Sequence, residues 1–180
     1  MTSWVFGYGS LMWNPEFDPA EAVTATLPGY HRSFCMSSIH HRGSEAEPGL
    51  VLALDAMADA ACRGLALRIP EAGQAAILAA LRERELISSA YVERVLPLRL
   101  DDGRQVEALA YVVDRDHRQY CGGLSEERQA EIIAHAHGGR GPNREYLWST
   151  VTHLETLGID DPELSRIAAR VRDIVDKSLA

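Results

Sequence analysis

YVERVLPLRLDDGRQVEALAYVV, residues 91–113, holds the two clearest strands in the chain. Tyr91 to Leu100 and Arg104 to Val113 are runs rich in apolar residues, and Asp101-Asp102-Gly103 joins them. An Asp-Gly step between two such runs is a strong hairpin signal, because glycine accepts the positive φ that a tight reversal needs. An antiparallel pair therefore sits at mid-chain. Upstream, Trp4-Val5-Phe6 reads as a short buried strand that breaks into Gly7-Tyr8-Gly9-Ser10. Ala22 to Leu27 is strand-like, Pro28-Gly29 is expected as a turn, and Tyr30 to Met36 follows with Tyr30, Arg32, Phe34 and Met36 on one side. SSIHHRGSEAEPGL reads as an exposed loop, and Leu50 to Leu54 and Gly64 to Ile69 as two short strands. Pro70 is expected to open an alanine-rich helix running to about Leu86, since the missing N–H is no loss at a first helical position.

Downstream of the hairpin the pattern turns helical. Ser125 precedes Glu126 and Glu127, a cap followed by acids that suit a helix N-terminus. Gly141-Pro142-Asn143 introduces a second helix through about Leu157, and Asp161-Pro162 a third. In the third, Leu164, Ile167, Ala168, Val171, Ile174 and Val175 form an apolar stripe. The order is strands, one helix, a hairpin, then helices. That is α+β, with an antiparallel sheet or small barrel, and no dinucleotide fingerprint is present.

With 180 residues the chain suits a single domain spanning 1–180. Its formal net charge of −8 argues against nucleic acid or an anionic membrane as partner. No apolar run approaches a membrane span, and no signal-peptide pattern opens the chain. Three scattered cysteines, Cys35, Cys62 and Cys121, suggest a reducing compartment, so a cytoplasmic location is expected.

Two places carry chemistry. Gly7 and Gly9, two apart after a strand, let the backbone bring successive N–H groups to one point, as at a small anion; an ordinary glycine turn has the same spacing. No lysine follows, so a phosphate loop is disfavoured. The second place is the helix end LRERELISSAY. At about 100° per residue, Glu85 lies roughly 20° from Leu78 and 40° from Leu81, whereas Glu83 lies about 160° from Leu81. Glu85 thus continues the apolar stripe and Glu83 faces water. A carboxylate in line with buried leucines needs a partner or a proton-transfer role. Metal binding is not expected. His40 and His41 are adjacent, and His135 and His137 lie about 200° apart on a helix, so neither pair shares a ligand face. Cys121 sits in a glycine turn without a neighbouring base in sequence, and Ser10 lacks the Gly-x-Ser-x-Gly elbow.

Four stretches, in order and spanning nearly the whole chain, resemble the ChaC family of glutathione-specific γ-glutamylcyclotransferases. They are FGYGSLMWNPEF, GYHRSFCMSSIHHRGSEAEPGL, RELISSAY and GGRGPNREYL. The resemblance implies an α+β, γ-glutamylcyclotransferase-like fold: a small mixed β-barrel with flanking helices and a helical C-terminal third. It implies cleavage of glutathione to 5-oxoproline and cysteinylglycine without metal or cofactor. It makes Glu85 the catalytic base and acid, and Tyr8, Gly9, Ser10 and Leu11 the loop that holds the γ-glutamyl group. Tyr91, Arg42 and Tyr146 join them as substrate-binding residues. Arg42 also reads as a surface loop residue, and Tyr146 as a core aromatic at a helix start. Two departures stand out. Ser89-Ala90 occupies a place where the family has one or two glycines before the tyrosine, which keeps other γ-glutamyl peptides or amines open as substrates. Cys121-Gly122-Gly123 replaces a usual Gly-Pro. A non-catalytic binding protein is the alternative of another class.

Overall fold

A computed structural model describes residues 3–180, which fold as two compact units. The first unit takes the described part of Met1–Ser33 together with Ala53–Arg118. Its elements are β1 (Trp4–Gly7), a 3-10 turn (Ser10–Met12), β2 (Glu21–Ser38), β3 (Gly49–Arg68), α1 (Gln74–Leu86), β4 (Tyr91–Leu100) and β5 (Gln105–Val113). β2 beyond Ser33 and β3 before Ala53 belong to the second unit. The strands close into a barrel in the order β1-β3-β2-β4-β5, with β5 also pairing β3. Pairing is mixed: β1 runs antiparallel to β3 and parallel to β5. The Asp-Gly hairpin forms as expected, with Tyr91 opposite Val113 and Arg99 opposite Gln105, and Gly103 at φ 94°. Val5, Phe6, Leu27, Leu54, Leu67 and Leu98 are buried on the barrel strands with essentially no exposure. α1 turns Leu78 and Leu81 inward, and it packs beside β4.

Three expectations fail here for physical reasons. Pro28-Gly29 does not reverse the chain. β2 runs straight through it, because Gly29 takes φ 81° and absorbs a local kink of the kind barrel strands use to bend. The two short strands read at residues 50–54 and 64–69 are the ends of one strand, β3, whose exposed middle residues 56–59 carry no apolar alternation to announce it. Pro70 does not open the helix. α1 begins at Gln74 behind Gly73, whose φ of 76° belongs to the turn that Gln74 N–H closes on the Glu71 carbonyl. Left-handed backbone cannot lie inside an α-helix, so the glycine sets the boundary.

The second unit takes Phe34–Leu52 and Gln119–Ala180. Here stand α2 (Glu126–His135), a two-residue pair β6 (His137–Gly138) with β7 (Gly141–Pro142), α3 (Asn143–Thr156) and α4 (Pro162–Ser178). The caps are those the sequence announces: Ser125 accepts from the Arg128 N–H and Asp161 from the Leu164 N–H. α4 buries Leu164, Ile167, Ala168 and Val171, while Ile174 and Val175 remain half-exposed as the stripe runs out. Ile133, Leu147 and Leu154 complete the interior of the three-helix pack. No helix among the described residues is long and apolar enough to cross a membrane.

Candidate active site

The glycine loop leaves the barrel at the end of β1. Met12 N–H donates to the Gly9 carbonyl at 2.9 Å, and Asn14 N–H to the Ser10 carbonyl at 2.7 Å, which winds Ser10–Met12 into one tight turn. Gly7 packs closely here: a Cβ on it would stand 3.2 Å from the Met12 nitrogen and would need the turn to give by a few tenths of an ångström. Within the loop Tyr8 and Leu11 are buried and Ser10 is exposed. The Tyr8 carbonyl accepts a 2.7 Å hydrogen bond from Nε of the buried Arg32.

Glu85 sits where helical periodicity puts it. It follows Leu78 and Leu81 on the inward face of α1 with its side chain 18% exposed, whereas Glu83 faces solvent. Burial pushes the Glu85 carboxyl above the usual carboxylate range; the Arg84 guanidinium pulls it down and the Glu16 carboxylate pushes it up. A carboxylate held this way takes up a proton more readily than an exposed one and can return it.

Arg84 is the residue that sequence reasoning passes over. Its Nε lies 3.3 Å from Oε1 of Glu85. One terminal nitrogen donates to Ser10 Oγ at 3.0 Å and the other to the Asn14 carbonyl at 2.6 Å. Arg84 therefore joins the helix end that carries Glu85 to the glycine loop. The available signal is its place beside Glu85 in RELISSAY. Tyr111 is passed over too. It is 1% exposed, and its hydroxyl donates to Glu93 at 3.1 Å; Glu93 in turn is gripped by Arg82 at 2.9 Å. Burial, then the charges of Glu93 and Glu85, push the Tyr111 hydroxyl far above its ordinary pKa, so it stays protonated. Tyr91 opens β4 two residues before Glu93, half-buried on the same strand face.

Arg42 and Tyr146 come together in the second unit. The Arg42 guanidinium lies over the Tyr146 ring at 5.6 Å and donates to the Arg140 and Pro142 carbonyls at 2.9 and 3.2 Å. Tyr146 also meets Phe34 edge-on at 6.1 Å, and its hydroxyl accepts from the Leu52 N–H at 3.3 Å. Asn143, in the same motif, is fully buried and exchanges two hydrogen bonds with the backbone of Leu50, at 2.7 and 2.8 Å. His41 is held below its ordinary pKa by burial and then by the charges of Arg140, His40 and Arg42. Burial raises the Cys121 thiol, the wrong direction for a nucleophile that reacts as thiolate. Among the described residues no three His, Cys, Asp or Glu side chains are grouped to hold a metal ion.

A family model described as ChaC-like protein matches residues 3–174. The glutathione-specific gamma-glutamylcyclotransferase of Escherichia coli is 38% identical over 172 residues, covering 96% of this chain and 74% of that one. Glutathione-specific gamma-glutamylcyclotransferase 1 of Danio rerio is 32% identical, covering 92% and 87%. In fold, a yeast gamma-glutamyl cyclotransferase specific to glutathione superimposes with a TM-score of 0.84 at 22% identity, over 94% of this chain and 95% of the other. With four sequence motifs in order, a closed mixed barrel, and a family match over nearly its whole length, the chain belongs to the ChaC-like family.

Proposed function

We propose that this chain is a γ-glutamylcyclotransferase that degrades glutathione, and that residues 1–180 act as one functional domain. The observation that carries the reading is the sheltered carboxylate of Glu85, tied through Arg84 to the glycine loop at Ser10. The names of the relatives in Escherichia coli and Danio rerio supply the substrate. The reaction is an internal acyl transfer. The α-amine of the γ-glutamyl group attacks its own γ-carbonyl, a five-membered lactam closes, and the amide bond to cysteine breaks. One amide forms as another is lost, with no redox change and no water consumed. Glu85 takes the proton from the α-ammonium and delivers one to the leaving cysteinylglycine amine. The loop formed by Tyr8, Gly9, Ser10 and Leu11 holds the γ-glutamyl group in the folded shape that brings amine and carbonyl together. Tyr91 contributes to the same binding surface. Arg42 and Tyr146 are assigned to the substrate on the motif alone. Three free cysteines support a reducing, cytoplasmic setting.

The test is incubation of the purified protein with glutathione and detection of 5-oxoproline and cysteinylglycine by mass spectrometry. Both products should appear, and Glu85→Gln should lower kcat by about 10³-fold while glutathione still binds. A Glu85→Gln protein with near-normal rate would sink the assignment of the base. No product from glutathione, with product from another γ-glutamyl peptide or amine, would move the substrate elsewhere in the same class.

A further inference from the structure

Arg32, on β2, is 4% exposed. Its Nε donates to the Tyr8 carbonyl at 2.7 Å, and a terminal nitrogen donates to the carbonyl of Arg63 on β3. Taking a guanidinium out of water costs several kcal/mol unless its donors find good acceptors. A methionine would fill the same space without that cost, so packing alone does not account for arginine here. β3 is pressed against β1 at this point: a Cβ on Gly64 would collide with the Gly7 carbonyl. Arg32 therefore binds carbonyls on both sides of the place where the glycine loop departs.

The consequence lies in the peptide unit between Tyr8 and Gly9. No peptide bond among the described residues is cis, so the Tyr8 C=O and the Gly9 N–H point in opposite directions. Anchoring the Tyr8 oxygen on the buried Arg32 points the Gly9 N–H away from Arg32, antiparallel to the C=O within the peptide plane. Glycine at position 9 makes the flipped orientation accessible, because a flip changes the φ of that residue and glycine tolerates either sign. An anchor on the preceding carbonyl selects one of the two. The next residue, Ser10, meets Arg84, whose Nε stands 3.3 Å from Glu85, so the loop that Arg32 orients borders the carboxylate.

We propose that Arg32 is a positioning residue: by holding the Tyr8 carbonyl it locks the Tyr8–Gly9 peptide with the Gly9 N–H turned toward the γ-glutamyl group. There that N–H donates to the substrate α-carboxylate or to the oxyanion that develops on the γ-carbonyl. The inference rests on the glycine loop being the substrate cradle, as proposed above.

The test uses the full chain, with Arg32→Gln and Arg32→Lys. In Arg32→Gln, kcat/KM for glutathione should fall on the order of 10²-fold, the loss typical of one preorganised donor, and Arg32→Lys should recover part of it. A fall in kcat assigns the donor to the oxyanion, and a rise in KM to the carboxylate. The second readout is the Gly9 amide resonance in Glu85→Gln protein titrated with glutathione. It should move downfield when Arg32 is present and stay in place in Arg32→Gln. Normal kinetics in a folded Arg32→Gln protein overturns the lock. If neither variant folds, the Gly9 resonance of the Arg32-containing protein decides alone, and no downfield shift overturns it. Glutathione left intact by the unaltered protein sinks the proposed reaction instead. The lock is then judged without ligand: Arg32→Gln should shift or split the Gly9 signal, and an unmoved signal overturns it.

Discussion

Arg84 Nε stands 3.3 Å from Glu85 Oε1, with the two side chains 20% and 18% exposed. Neighbours in sequence, they are also sheltered alike, so the cation acts on the carboxylate with little water between. Burial raises the Glu85 pKa and Arg84 opposes it. Replacing Arg84 by Met removes the opposing charge, so the Glu85 pKa should rise further. A base must be ionised to work, and the acid limb of kcat/KM reports its pKa in the free enzyme. In Arg84→Met that limb should move to higher pH, with a larger rate loss at pH 6 than at pH 8. An unmoved limb would mean that the charge of Arg84 does not set the base, only the loop.

Glu85 also costs the fold something. Its pKa is raised in the folded protein, so between the unfolded and folded values the native state binds more protons than the unfolded one. Stability then falls as pH rises through that window. Glu85→Gln removes the buried charge. The variant should melt at higher temperature than the unaltered protein at pH 7.5, and the gap should shrink as pH is lowered through the carboxylate range. A gap independent of pH would assign the effect to packing.

Ser89 occupies a left-handed backbone position, φ 58°, in the turn between α1 and β4. An L-residue with a Cβ is disfavoured there, and the Ser89 side chain is exposed. Ser89→Gly should stabilise the protein by about 1 kcal/mol, since relief of the strain outweighs the entropy glycine adds to the unfolded chain. Chemical denaturation measures it. The same comparison tests the family departure: turnover of glutathione within twofold of normal would show that Ser89 sets no leaving-group preference.

Asn143 holds both polar atoms of Leu50 from across 93 residues of sequence. Asn143→Ala leaves a buried N–H and a buried C=O without partners, at a cost of about 3 kcal/mol. Denaturant unfolding should register that loss in the midpoint with little change in slope. A loss under about 0.5 kcal/mol would mean that water replaces the amide.

Much of the molecule is legible because its causes are local. The Asp-Gly hairpin, the Ser125 and Asp161 caps and the apolar stripe of α4 each follow from neighbouring residues, and so does Glu85, whose burial is a matter of helical angle from Leu78 and Leu81. Where the sequence misleads, one residue type serves two backbone uses. Gly29 reads as a reversal and acts as a kink; Gly73 reads as helix interior and acts as its boundary. What only the tertiary structure decides is the support of the site. Arg32 reaches the carbonyl of Tyr8 across 24 residues, and Arg84 the carbonyl of Asn14 across 70. A guanidinium that binds backbone carbonyls leaves no trace at the partner position, because every residue type carries the same acceptor. Sequence alone therefore determines which carboxylate is out of place, and the closing of the barrel decides what holds the loop beside it.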